Sequence, residues 1–255
     1  MKLRLDKLLV ERGLVGSRER ATAMILAGRV LVAEQKSDKP GLSVEEDSVV
    51  RILGEDLKFV GRGALKLEHA LETWGIAVEG LSCADIGAST GGFTDCMLQR
   101  GAKSVLAIDT GYGQMAHKLR VDERVSLMER TNARLLTAGQ IAAQAVVFFA
   151  MDVSFISATL VLPAVVAALA EQGTRWKGQA VVLVKPQFEA GRENVGKGGI
   201  VRDPEAQQYA VDRVREAVDE LGGETLAVMD SPILGMEGNR EFLLHAVFGA
   251  DSASA

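Results

Sequence analysis

The sequence predicts an α/β fold, a parallel sheet covered by helices on both faces, preceded by a small α+β unit. Three observations carry this. The runs "SCADIGA", "SVLAIDTG", "AVVFFAMDVSF" and "AVVLVKPQF" are almost continuously apolar and are separated by helical stretches. Strands of that kind belong in a parallel sheet buried on both sides. Before residue 58 the pattern is different, with short amphipathic helices and short strands, and a chain of 255 residues has room for a small domain joined to a medium one.

In chain order, residues 4–12 place Leu5, Leu8 and Leu9 at helical spacing. A "GLVGS" turn follows, with Ser17 as N-cap of a second helix whose apolar face is Ala21, Met24 and Ile25, and Gly28 as its terminator. "RVLVAEQ" and "DSVVRIL" read as two strands separated by a polar loop around Pro40. Arg18, Arg20 and Arg29 lie off the apolar face of this unit. "GEDLKFVGRGALK" reads as a linker entering a helix from Ala64 to about Trp74. After the four apolar strands, "ETLAVMDSPI" and "EFLLHAVFG" read as two last strands, and "ADSASA" as a disordered tail.

Composition excludes several classes. No run of about 18 apolar residues exists, so a membrane span is not expected, and the charged start "MKLRLDKLLVERG" lacks the apolar core of an export signal. Two cysteines and three scattered histidines fit no metal-ligand spacing, which leads to the expectation of a reduced, cytoplasmic protein without a metal. The net charge of −5 argues against a wholly basic nucleic-acid binder. Yet residues 1–36 hold eight Lys/Arg against four Asp/Glu, and a local basic face suffices to bind phosphate.

"DIGASTGGFTDCML" is a strand, a glycine-rich turn and a helix start, the place where open α/β sheets bind ligands. The second glycine of a dinucleotide fingerprint is replaced by Ser89, and Gly92 is followed by Phe93 rather than the Lys of a Walker loop. About twenty residues on, Asp109 ends the next strand, where a carboxylate can accept both hydroxyls of a ribose. A glycine turn without phosphate chemistry followed by such an acid fits S-adenosylmethionine. The competing reading is a structural turn and a solvated aspartate. Asn132, beyond the third strand, is placed to face an adenine, or else is ordinary turn chemistry.

The acceptor chemistry is narrowed by what is missing. The turn after the fourth strand, "MDVSFIS", lacks the paired prolines of amino-group methyltransferases, and neither Cys83 nor Cys96 follows a proline as a cytosine-attacking thiolate usually does. An alcohol acceptor instead needs a cation or a base beside the oxygen. Lys185 and Asp152, at the ends of neighbouring strands, are candidates, against the plainer readings of a chain emerging into water and a helix N-cap.

"RLDKLLVERGLVGSRERATAMILAGRVLV" resembles the S-four-type (Alpha-L) RNA-binding domain. "GRGALKLEHAL", "DIGASTGGFTD", "MDVSFIS", "VLVKPQFEAGRENVGKGGIV" and "GMEGNREFLL" together resemble the TlyA/haemolysin-A family, which joins that domain to an FtsJ/RrmJ-like methyltransferase. The similarity runs from residue 2 to 248. It implies a Rossmann-like S-adenosylmethionine-dependent methyltransferase domain at 64–248, an RNA-binding domain at 1–58, a linker at 59–63 and a tail at 249–255. The implied activity is ribose 2′-O-methylation of ribosomal RNA, typically at cytidine, on free RNA or ribosomal subunits, with no membrane and no obligate protein partner.

The resemblance also implies a catalytic tetrad of Lys66, Asp152, Lys185 and Glu241, with Lys185 activating the hydroxyl. Donor-binding residues would be Asp85, Gly87, Ser89, Thr90, Gly91, Gly92 and Phe93 of the turn, together with Asp109 and Asn132. RNA would be held by Arg4, Lys7, Arg18, Arg20 and Arg29 through shape and phosphate contacts. The four-glycine loop Gly191–Val201 suggests a lid. A non-catalytic ribosome-assembly factor is the alternative, and the absence of an export signal weighs against a cytolysin.

Overall fold

The computed structural model describes residues 2–53, 58–171, 173–235 and 238–249, and the chain divides into two compact units, Met1–Lys58 and Phe59–Ala255. The first contains β1 (Lys2–Arg4), α1 (Leu5–Glu11), α2 (Arg18–Leu26), β2 (Val30–Val32), β3 (Gln35–Ser37), β4 (Ser43–Glu45) and β5 (Val50–Ile52). Leu5, Leu8 and Leu9 of α1 bury against Ala21, Met24 and Ile25 of α2. The Ser17 hydroxyl accepts from the Arg20 N–H at 3.2 Å and starts α2, and Gly28, at φ +65°, follows its end. "RVLVAEQ" is not one strand. It is the β2–β3 hairpin, turned at Ala33 and Glu34, both with positive φ. Hairpin turns of this kind normally advertise themselves with Asn or Gly, so the sequence carried no signal. The polar loop around Pro40 likewise runs into β4, which pairs antiparallel with β1.

The second unit runs α3 (Ala64–Thr73), β6 (Ser82–Ile86), α4 (Gly92–Gln99), β7 (Ser104–Ile108), α5 (His117–Arg120), β8 (Val125–Met128), β9 (Phe148–Met151), α6 (Ala158–Leu169), β10 (Gly178–Val184), α7 (Pro186–Glu189), α8 (Pro204–Glu220), β11 (Gly223–Asp230) and β12 (Phe242–Phe248). Its seven-stranded sheet has the order β11-β12-β10-β9-β6-β7-β8. The sheet is mixed rather than wholly parallel, because β12 inserts between β10 and β11 and runs antiparallel to both.

Alternation along the strands fills two cores. Ala84, Leu106, Phe149, Val182 and Leu244 face one side, under α6 and α8. Cys83, Val105, Phe148, Val181 and Leu243 face the other, with the apolar residues of α3 and α4. Burying a large side chain in such a core contributes roughly 1.5–3 kcal/mol. The segment 59–63, expected as a linker, packs into this unit: Phe59 is buried in the second core, and the Val60 N–H donates to Asp95 Oδ2 at 2.8 Å. Of the expected tail, residues 250–255 lie outside the described residues. Among the described residues no helix is long and apolar enough to cross a membrane.

The loop expected to act as a lid is fastened at its far end. Asn239 donates through Nδ2 to the Gly199 carbonyl at 2.9 Å and accepts from the Val201 N–H at 3.1 Å. Asn239→Ala should therefore speed hydrogen exchange at Val201 by at least tenfold while leaving the strands of the sheet protected, as read by hydrogen–deuterium exchange.

Candidate active site

The chain order reverses between β6 and β9. From β6 the sheet grows outward through β7 and β8, and from β9 through β10. Open α/β sheets leave a crevice at such a point, outside the carboxyl ends of the strands. Here the two strand ends are tied together, since the Asp152 N–H donates to the Ile86 carbonyl at 2.9 Å. Gly87 must be glycine: its φ is +89°, and a Cβ would stand 2.4 Å from the Asp152 carbonyl oxygen. The crevice has a volume of about 410 Å³ and is lined by Gly87, Ser89, Asp109, Asn132, Asp152 and Ser154, among others. That size suits a small-molecule site.

Asp109 is locked in place. Its Oδ2 accepts from the Ser89 N–H at 2.8 Å and its Oδ1 from the Gly111 N–H at 2.6 Å. A carboxylate oxygen has two lone pairs, so each retains one for a ligand hydroxyl. The Asn132 Oδ1 accepts from the Arg134 N–H at 3.0 Å, capping a short turn, and the residue lines the crevice.

Asp85 lies at the end of β6, 1 % exposed. Its Oδ2 accepts from the Thr94 N–H at 2.8 Å and the Thr94 hydroxyl at 2.6 Å, but its buried Oδ1 has no partner among the described residues. Burial, opposed by the Thr94 hydrogen bonds and reinforced by Asp152 and Asp109, pushes its carboxyl up to about 7. Of these acids Asp109 and Asp152 line the crevice, and their negative charge favours a cationic ligand.

At the other side of Asp152 stand two lysines, each only 7 % exposed. Lys185 Nζ is 2.5 Å from Asp152 Oδ1 and donates to the Ser154 hydroxyl at 2.7 Å. Lys66 Nζ, carried by α3, donates to Glu241 Oε2 at 2.6 Å. The register brings the pairs together: Val184 is opposite Phe242, so Lys185 and Glu241 are the next residues along β10 and β12. Gly63 approaches Asp152 as α3 begins. An ammonium has three donors. Among the described residues Lys185 uses two and Lys66 one. The Glu189 carboxylate fixes the turn after Lys185 by accepting from the Ser157 hydroxyl at 2.5 Å and the Ala158 N–H at 2.6 Å; burial raises its pKa.

Other expected donor residues are placed differently. Asp85, Thr90, Gly91, Gly92 and Phe93 are not among the residues that line the crevice. Phe93 is buried in the core. A Cβ on Gly91, at φ +92°, would meet Leu119 at 2.3 Å, and one on Gly92 would meet the Ala64 nitrogen at 3.1 Å. These glycines permit close packing of α4. Ser154 and Thr94 were missed, since a serine or threonine near a strand end is unremarkable in sequence. Burial pushes the Cys83 thiol up to about 12, the reverse of what a nucleophile requires. Among the described residues no cluster of metal-ligating side chains occurs.

The cations expected to hold RNA are dispersed over the first unit. Lys7 Nζ pairs with Glu11 at 3.3 Å, and the Arg29 guanidinium donates to the Leu53 carbonyl at 3.0 Å. Arg20 supplies the capped N–H of α2. Arg4 and Arg18 both turn onto Asp6.

Comparison with known proteins gives each unit a family. Residues 59–248 match the FtsJ-like methyltransferases and residues 3–50 the S4 domain. The chain is 43% identical over 244 residues to the 16S/23S rRNA (cytidine-2'-O)-methyltransferase TlyA of Mycobacterium tuberculosis, covering 95% of this chain and 89% of that one. It is 38% identical over 245 residues to hemolysin A of Brachyspira hyodysenteriae, covering 96% and 100%. A solved structure from Streptococcus thermophilus, 43% identical, superposes with a TM-score of 0.71 over 97% of this chain and 88% of that one.

The raised Asp85 pKa has a stability consequence. Its protonated form is favoured in the folded state, so its contribution is full below the ordinary value of 3.8 and is lost as pH rises to about 7. Asp85→Asn should therefore stabilise the protein increasingly between pH 4 and pH 7, with a stability gain on the order of a few kcal/mol at the upper end and a melting temperature that rises with it. A melting series across that range checks it.

Proposed function

This chain belongs to the FtsJ-like methyltransferase family, with an S4 domain ahead of the methyltransferase domain, and on that premise we propose that it methylates a ribose 2′-hydroxyl of ribosomal RNA with S-adenosylmethionine. The observation that carries the reading is the buried Lys185, held by Asp152 and Ser154 at the rim of the crevice.

The crevice fits the donor chemically. Asp109, with both oxygens fixed by backbone N–H groups, would accept the two ribose hydroxyls of the donor. The unpartnered Asp85 Oδ1 would accept from its amino-acid end, directly or through a water. Asn132 would border the base. When bound, S-adenosylmethionine supplies an electrophilic methyl group on a cationic sulfur, and the carboxylates of Asp109 and Asp152 favour that charge.

The chain's own residues do the rest. A ribose hydroxyl is a poor nucleophile at neutral pH, and its oxygen gains negative charge as it attacks. A Lys185 N–H left without a described partner would donate to that oxygen, stabilising the charge as it develops. Asp152 Oδ1 and Ser154 Oγ keep the ammonium from wandering, so the stabilising dipole is in place before reaction. Asp152 Oδ2 is free, among the described residues, to accept the hydroxyl hydrogen. Lys66, anchored by Glu241, adds a second cation beside the ribose or its phosphate. Phe155, 88 % exposed beside Ser154, offers an apolar face to a base withdrawn from its helix. The S4 domain would hold the surrounding RNA.

The test uses ribosomal subunits and tritiated S-adenosylmethionine. Unaltered protein should label the RNA, and Lys185→Ala should lower the rate by at least a hundredfold while donor affinity, measured by calorimetry, changes less than threefold. Equal loss of donor affinity would contradict the role of Lys185. No label with any subunit would favour a ribosome-assembly factor.

A further inference from the structure

Asp6 is the most enclosed carboxylate among the described residues of the first unit, 2 % exposed, and every lone pair it has is used. Its Oδ1 accepts from Arg4 Nε at 3.1 Å and from the Lys7 N–H at 2.9 Å. Its Oδ2 accepts from Arg4 NH2 at 2.8 Å and Arg18 Nε at 3.1 Å. Its own N–H donates to the Pro40 carbonyl at 3.0 Å, so the carboxylate is fixed from behind. Gly41 leaves room for the Arg4 guanidinium, since a Cβ there would stand 3.2 Å from NH1.

The two guanidiniums are gripped on one side only. The Arg4 and Arg18 side chains remain 53 % and 57 % exposed. Among the described residues Arg4 NH1 and both terminal nitrogens of Arg18 have no partner. Each arginine therefore presents several free donors outward while its Nε edge is held. Two guanidiniums this close would repel one another without the carboxylate between them, and each would otherwise lose rotamer freedom on ordering.

We propose that Asp6 is a positioning residue for RNA binding, which holds Arg4 and Arg18 side by side so that their free donors meet neighbouring phosphates of a folded RNA strand. The inference rests on the reading of this chain as one that acts on RNA. Planar, multiply donating guanidiniums fixed in advance match phosphate geometry better than mobile ones and lose less entropy on binding.

The proposal inverts the simple expectation from charge. Asp6→Asn removes a negative charge beside two arginines, which on net charge alone should tighten RNA binding. It also puts an amide NH2 against arginine N–H groups, donor against donor, and releases the fork. In full-length protein binding purified ribosomal subunits, Asp6→Asn should weaken affinity by roughly tenfold and shrink the magnitude of the salt slope by about one to two, one phosphate contact accounting for about 0.9. Arg4→Lys with Arg18→Lys, which keeps the charge and spares the core, should weaken it comparably because lysine cannot form the fork. In an Arg4→Ala, Arg18→Ala background, adding Asp6→Asn should leave affinity unchanged or improve it.

Unchanged or tighter binding by Asp6→Asn alone would overturn the proposal. So would unchanged binding by the double lysine variant, or the same tenfold loss in the double alanine background, which would mark a purely structural role. If the unaltered chain binds no subunit RNA, the RNA reading itself fails and takes this one with it.

Discussion

Two ammonium groups lie out of water at the carboxyl edge of one sheet, and the site is arranged around keeping them there. An unpaired buried charge is costly, and removing one partner of a buried pair typically costs about 3–5 kcal/mol. Lys185 is tolerated because Asp152 stands 2.5 Å away, and Lys66 because Glu241 stands 2.6 Å away. Those acids come from different elements, so the ion pairs also fasten α3, β9, β10 and β12 to one another. Even the spacing of small residues follows: a Cβ on Gly235 would strike the Glu241 carboxylate at 2.1 Å.

The sheet order supplies the second half of the arrangement. Because the chain leaves β6 in one direction and β9 in the other, the turns after these strands diverge and open a crevice between them. Asp152 belongs to both sides of it. One of its oxygens holds Lys185, and its backbone forms the wall that forbids a side chain at Gly87. A cleft lined by Asp109 and Asp152 therefore meets the buried lysines at a single residue, so an electrophilic cation and a developing oxyanion can be stabilised side by side.

Much of this was readable in the sequence, and the failures have physical causes. The continuous apolar strands and the acid ending β7 revealed the crevice, since they follow from burial and strand-end position alone. Lys66 and Glu241 could not be found by pattern: their partnership spans 175 residues and is created only by the antiparallel insertion of β12. That same insertion made the sheet mixed, which helix–strand alternation does not encode. The β2–β3 hairpin was missed because Ala33 and Glu34 adopt positive φ without the usual turn residues. Thr90, Gly91, Gly92 and Phe93 read as donor residues because glycine-rich turns serve both ligands and close packing, and sequence alone does not separate the two.

The central claim is that the acceptor is a ribose hydroxyl rather than a base. Alkaline hydrolysis reads this directly, because strand cleavage needs a free 2′-hydroxyl. RNA from subunits treated with the protein and S-adenosylmethionine should resist cleavage at one nucleotide, giving a gap in the ladder that is absent when Lys185→Ala is used. Methyl label incorporated with an unbroken ladder would place the group on a base and contradict the account.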